Sequence, residues 1–441
     1  MCEVGDSGHE PHAGVTKRRE IVSLARLDIP GGGQVRVEGR LAFVGHLAPP
    51  YGTTIIDIED PENPRILSQL MLDNDRSHTH KVRVMGDLMV INVEMHDRHF
   101  RRKGFAIPAL ETEKGRPLTD AEIAEALSVP VGRVGELRDV AERGYDEGGF
   151  KIYDIKDPSN PKLLHYQKTG GIGVHRFDVC DRYAYISTEM EGYVGNILVT
   201  YDLADPLNVK EVSRWALPGQ HTAAGETPTW PGVQNRLHHA LRHKDEMWAA
   251  CWHGGFYIVD VTDITKPKTI GHYNYHPPYP EGTHTALRVP HKLHGKDIAV
   301  VADEEHPHAN GQPHAFLWVF DVSDYSNIKP LSQFHVTDFD APWRRAHLDE
   351  NGEYGHEIYG PGLHQFQEKF GPDNLLYCAW FSAGLRVVDI SNPSAPAEIA
   401  SYLPQPAEGF RAPQTNDVDI DDRGLIYLID REIGFEILEL R

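Results

Sequence analysis

Histidine makes up 26 of the 441 residues, and a subset of them falls at one repeating position. When short apolar segments along the chain are aligned on a shared apolar residue, Gln34, His80, His175, His239, Thr285, His364 and Asn416 form one column; His238 and His284 stand one residue earlier and His78 two earlier. Neutral imidazole offers a lone pair to iron, copper, zinc or manganese. A single histidine at a strand start is usually a hydrogen-bonded filler, but histidines in register in several repeats converge on one place and point to a metal. His80, His175, His239 and His364 are the expected ligands, with Fe(II) favoured and Cu, Zn and Mn as alternatives. His284, offset by one, is either brought into line by a β-bulge or faces substrate as an acid or base.

Carboxylates follow at a second repeating position, where His46, Glu94, Glu189, His253 and Glu304 stand. Glu94, Glu189 and Glu304 suit the role of accepting the outer N–H of ligating histidines, or of binding the ion themselves. For substrate contact the candidates are His356 and Tyr359 in GHEIYGPG, Trp252 as part of an apolar wall, and Arg431, whose guanidinium would suit a carboxylate or phenolate.

The elements that must position these groups are strands. YGTTIIDIEDPENP, GFKIYDIKDPSNP, NILVTYDLADPLN, GFYIVDVTDITKP, FLWVFDVSDYSNIKP, GLRVVDISNPSAP and the terminal GFEILEL share a β-branched or aromatic run that in most copies ends in aspartate and a turn. A further short strand follows most copies, and a pair of strands precedes them, as in HKVRVMGDLMVINVE. Four strands per unit in seven units predict an all-β, seven-bladed β-propeller. The last unit lacks its outer strand, and REIVSLARL near the N-terminus would supply it and close the ring. The runs FYIVDV, LRVVDIS and TIIDIE resemble the LVIVD-repeat family, and the resemblance implies a propeller without specifying a reaction.

Residues 1–19 read as a flexible tail and residues 20–441 as a single propeller domain. The largest interruption, residues 96–148, splits blade two and contains LTDAEIAEAL, which Thr119 or Asp120 could cap, and VGELRDVAERG. It is expected to form a small helical lid on the face where the long loops gather.

Composition removes several function classes. A net charge of −21 repels phosphate backbones, so nucleic acid is not an expected partner. No apolar run approaches the ~18 residues of a membrane span, and no secretory leader is evident, which suggests a cytoplasmic protein with no membrane partner. The absence of a GxSxG elbow, a P-loop and a suitably placed GxGxxG disfavours serine hydrolase and nucleotide chemistry. The leading expectation is a non-haem iron or copper oxygenase or oxidase acting on a small molecule, an arrangement similar in architecture to carotenoid-cleaving dioxygenases and methanethiol oxidases. A metal-dependent hydrolase or lyase and a non-enzymatic binding module are the alternatives. Oligomeric state is not legible.

Overall fold

The computed structural model describes residues 18–230, 235–306, 313–336, 359–410 and 412–441. The chain folds as a β-propeller of antiparallel sheets. The first sheet takes Gly32–Glu38, Leu41–His46, Tyr51–Asp57 and Arg65–Met71 in sequence order, and the others repeat this meander. Its final sheet is composite: Ile21–Pro30 pairs with Ile433–Leu440, from Ile21 opposite Leu440 to Pro30 opposite Ile433. Innermost strands of neighbouring sheets touch at most steps, and Thr415–Ile420 returns to contact Gly32–Glu38.

The aspartate of the repeat has a local cause. It ends the third strand, and its Oδ1 accepts the backbone N–H two residues on: Asp57 from Glu59 (3.0 Å), Asp154 from Lys156 (2.9 Å), Asp202 from Ala204 (2.9 Å), Asp260 from Thr262 (2.9 Å), Asp321 from Ser323 (3.1 Å) and Asp389 from Ser391 (2.7 Å). The side chain thus substitutes for the next ladder acceptor and starts the turn to the outer strand. Buried aliphatic and aromatic residues fill the space between sheets. At the seam, Val35, Val44 and Ile56 of the first sheet meet Tyr427, Phe435 and Ile437 of the composite one.

Helices occur in the segment between Leu88–Met95 and Gly149–Asp154, two strands that pair directly, Val93 opposite Gly149. They are α1 (Arg98–Arg101), α2 (Ile107–Lys114), α3 (Asp120–Leu127) and α4 (Val134–Arg143). Thr119 caps α3 in a capping box with Glu122, as TDAE suggests. Ile107, Leu118, Ile123, Val134 and Leu137 give the helices a small core of their own, and Val140 joins them to Met95 and Ile172 of the sheets. No helix among the described residues is long and apolar enough to cross a membrane.

Candidate functional site

Five of the inner strands break register near one end. Val174 pairs with Thr188 and Arg176 with Ser187, which leaves His175 as an extra residue; the same count leaves His284 between Thr283 and Thr285, Asn416 between Thr415 and Asp417, and Gly33 between Gly32 and Gln34. In Asn235–His243 the residues between Asn235 and His239 face a single partner position, and His238 falls in that stretch. A bulge turns its extra side chain out of the alternating pattern, here toward the propeller axis. Gly33 and Gly45 press on the same neighbour: a Cβ at Gly33 would stand 2.7 Å from the Cβ of His80, and one at Gly45 2.6 Å from its carbonyl carbon. Only a hydrogen fits at those positions.

The result is a chain of six buried imidazoles. Ring centroids follow one another at 4.2 Å from His78 to His80, 5.3 Å to His175, 4.8 Å to His238, 4.3 Å to His284 and 4.5 Å to His364. Of the four ligands expected from the sequence, His80, His175 and His364 are in this chain. His239 is not. The bulge hands its place to His238, and His239 turns to the layer beneath, with Nδ1 3.5 Å from Glu368. His284 joins the cluster, as a bulge was expected to allow.

Two carboxylates serve the cluster. Glu94 Oε2 lies 3.0 Å from Nε2 of His78, 3.0 Å from Nδ1 of His175 and 3.9 Å from Nε2 of His80, and Arg98 of α1 binds both its oxygens at 3.0 and 2.8 Å. Burial would raise the Glu94 pKa, but Arg98 and His78 outweigh it and hold the group below the ordinary carboxylate value. Glu304 faces three imidazoles: Nε2 of His238 at 4.0 Å and of His284 at 3.8 Å from Oε2, and Nε2 of His364 at 3.8 Å from Oε1. Glu189 stands outside. It accepts the backbone N–H of Ile172 (3.2 Å) and pairs with Arg102 at 3.0 Å.

The proton positions follow from the partners. His238 Nδ1 must donate to the carbonyl of His284 (2.9 Å) and His364 Nδ1 to the carbonyl of Asn416, so each of these neutral rings turns an Nε2 lone pair inward, whereas His78 has acceptors on both sides, the carbonyl of Leu47 at Nδ1 (2.9 Å) and Glu94 Oε2 at Nε2 (3.0 Å). His284 Nε2 is also an acceptor, since Arg176 donates to it at 2.8 Å. His80 differs: Nδ1 accepts from Asn92 at 3.1 Å, which puts its proton on Nε2. Burial first, reinforced by nearby cations, pushes the pKa of His80, His175, His238, His284 and His364 well below the usual imidazole value. Neutral imidazole is the state a metal requires.

The Glu304 oxygens and the Nε2 lone pairs of His238 and His364 are all acceptors, and they face each other at 3.8–4.0 Å. That is too long for a hydrogen bond and wider than the ~3 Å between neighbouring ligands of one ion with bonds of ~2.0 Å, so an ion bound there would draw the three groups inward. His238, His284 and Glu304 form one set whose donor atoms all lie within 4.8 Å of one another; His78, His80 and Glu94 form a second. His175 links the sets, its Nε2 2.9 Å from that of His238 and its Nδ1 beside Glu94.

Above the cluster is a cavity of about 480 Å³. His96, Asp97, Arg98 and His99 from the helical segment form part of its wall, and Trp252, Tyr359 and Arg431, singled out in the sequence, also line it. His356 lies outside the described residues. Sequence reasoning missed the cations Lys81, Arg98, Arg176 and Arg236 in the lining. A signal existed for two of them: His80-Lys81 and His175-Arg176 repeat one His-cation pair at equivalent strand positions.

The LVIVD repeat model matches residues 247–275 and 373–403, so the chain carries LVIVD repeats. No curated protein sequence matches the chain. Among solved structures, Raptor from Chaetomium thermophilum aligns with 97% of this chain at 10% identity and a TM-score of 0.56, and this chain spans 30% of the Raptor chain. The C-terminal WD40 domain of Sif2 aligns with 97% of this chain and 100% of its own length at 10% identity and a TM-score of 0.54. At such identity the likeness concerns the fold alone, a β-propeller.

Proposed function

We propose that the protein is a metal-dependent enzyme whose active site is the histidine cluster on the axis of a seven-bladed propeller, with a small organic molecule as substrate. The observation that carries this reading is the set of mutually facing acceptors, Glu304 opposite Nε2 of His238, His284 and His364 at 3.8–4.0 Å. Arg176 donates to His284 Nε2 at 2.8 Å and His175 Nε2 stands 2.9 Å from that of His238, so an ion held here would replace those contacts, and a cation between a buried carboxylate and imidazole lone pairs would stabilise both. His238, His284 and Glu304 would hold the ion, with His364 alongside; two histidines and one carboxylate are the ligand set of non-haem Fe(II) oxygenases, which favours iron. Bound there, the ion would supply O₂ activation next to the cavity. His78, His80 and Glu94 offer a second place, and an ion there would need the His80 Nε2 that Asn92 now keeps protonated.

The chain's own residues divide the remaining work. The carbonyls of His284 and Asn416 fix the tautomers of His238 and His364, so both rings are oriented before an ion arrives. Arg98 keeps Glu94 ionised. The seven blades are counted with Ile21–Pro30 completing the last, and residues 20–441 form one domain in which 96–148 is a lid whose Arg98 reaches the site. A second reading, a hydrolase or lyase with zinc or manganese, draws on the adjacency of two His-His-Glu sets, since paired ions clamp both ends of a bond under attack by water.

Elemental analysis of untagged protein purified without added metal, with its electronic spectrum, tests the proposal. About one or two iron or copper ions per chain and O₂ uptake with a substrate support the first reading. Zinc or manganese without O₂ uptake supports the second. Absence of any bound metal after incubation with each of these ions overturns both.

A further inference from the structure

The whole protein carries a charge of −21, yet guanidinium and ammonium groups crowd this one cavity. Most of them answer internal groups. Lys81 donates to the carbonyl of Gly33 at 2.7 Å, Arg98 is bound to Glu94, and Arg176 is 3.8 Å from Glu368. Arg431 is arranged differently. It donates from one Nη to the amide oxygen of Asn416 at 3.0 Å, a neutral partner, and its guanidinium carbon lies 4.7 Å from the ring centre of Tyr359 and 5.9 Å from that of Phe381. Those two rings are themselves stacked, with centroids 4.5 Å apart.

A guanidinium held by an amide and by aromatic faces is fixed in place, and its planar fork of N–H groups matches a carboxylate in two-point contact. Asn416, the extra residue of a bulge, holds Arg431 through its side chain while its carbonyl takes the Nδ1 proton of His364. One bulge therefore links the guanidinium to an imidazole of the cluster, and sets the distance between a bound anion and the reacting centre.

We propose that the substrate is a small organic carboxylate, of the size and shape of an aromatic acid, anchored by its carboxylate on Arg431 with its apolar body between Tyr359 and Trp252 and its far end toward the histidines. The inference rests on the cavity being the active site and adds the substrate's charge, anchor and orientation.

Calorimetric titration of the full-length, metal-analysed protein with benzoate and with benzamide tests it, the pair having one shape and differing in charge. Benzoate is expected to bind at least about tenfold more tightly than benzamide, the loss that goes with one charge-assisted hydrogen bond. Arg431→Gln should abolish that preference with metal content and circular dichroism unchanged, and Arg431→Lys, which keeps the charge but not the fork, should retain part of it. Equal binding of the two probes, no benzoate binding below about 10 mM, or an Arg431→Gln protein that binds benzoate as the parent does would overturn the proposal. A protein that binds benzoate through Arg431 but takes up no metal would leave the anchor standing and remove the metal reading, so the two failures are separable.

Discussion

His238 and His239 adjoin in sequence but face different surroundings: one has its Nδ1 proton on the His284 carbonyl and its lone pair toward Glu304, the other stands beside Glu368 in the layer below. Replacement of His238 by alanine, or of Glu304 by glutamine, should reduce bound metal to below about a tenth of the parent level, whereas His239→Ala should leave it unchanged. Metal quantification on the three purified variants checks this, and equal loss in all three would return His239 to the site. The distinction could not be drawn from the sequence because a bulge is a property of pairing between strands. Alignment on apolar residues assumes strict alternation, and in three of the bulged strands it erred by one residue, taking Gln34, His239 and Thr285 where the bulge puts forward Gly33, His238 and His284. Where the shared apolar residue and the bulge agree, at His175 and Asn416, the column and the structure coincide. Arg98 was missed for another reason: it comes from α1, outside the repeat.

At the scale of elements, the repeat was legible because its punctuation is local. The aspartate that ends the third strand in six of the units works on the N–H two residues away, so Asp260→Ala should lower the midpoint of thermal unfolding in an otherwise unaltered chain. The α3 start was legible for the same reason, and Thr119→Ala should lower stability by about 1 kcal/mol, with the change confined to faster amide exchange over Asp120–Leu127. How the helical segment docks was not legible, since its contacts with Met95 and Ile172 are long-range. The strands on either side pair directly, so replacing residues 98–143 by a short glycine linker should leave the β-sheet circular dichroism intact while altering substrate affinity and the ionisation of Glu94. A deletion variant that fails to fold would make the segment part of the scaffold instead of a lid.

At the scale of the molecule, stability depends on the seam. Phe435 is fully buried there, and truncating it to alanine removes contacts from the composite sheet and from its neighbour together. The expected cost is about 3–5 kcal/mol, read as a lowered unfolding midpoint in guanidinium. A cost near that of a surface substitution would mean that the sheets are stable one by one.

The order of synthesis gives that seam a further meaning. The six imidazoles lie between residues 78 and 364, while the hydrogen bonds that join Ile21 to Leu440 need the last strand of the chain. Each of these imidazoles has therefore left the ribosome before the partner of Ile21–Pro30 exists, and this pairing has the greatest sequence separation of the strand pairs, the kind of contact that forms slowly. Until it forms, an edge of Ile433–Leu440 and an edge of Ile21–Pro30 are each open to pairing with other chains. An ion that bridges histidines from several strands would hold the half-made ring together during that interval, so metal supply in the growing cell should change how much of the chain reaches the closed state as well as how active the closed state is.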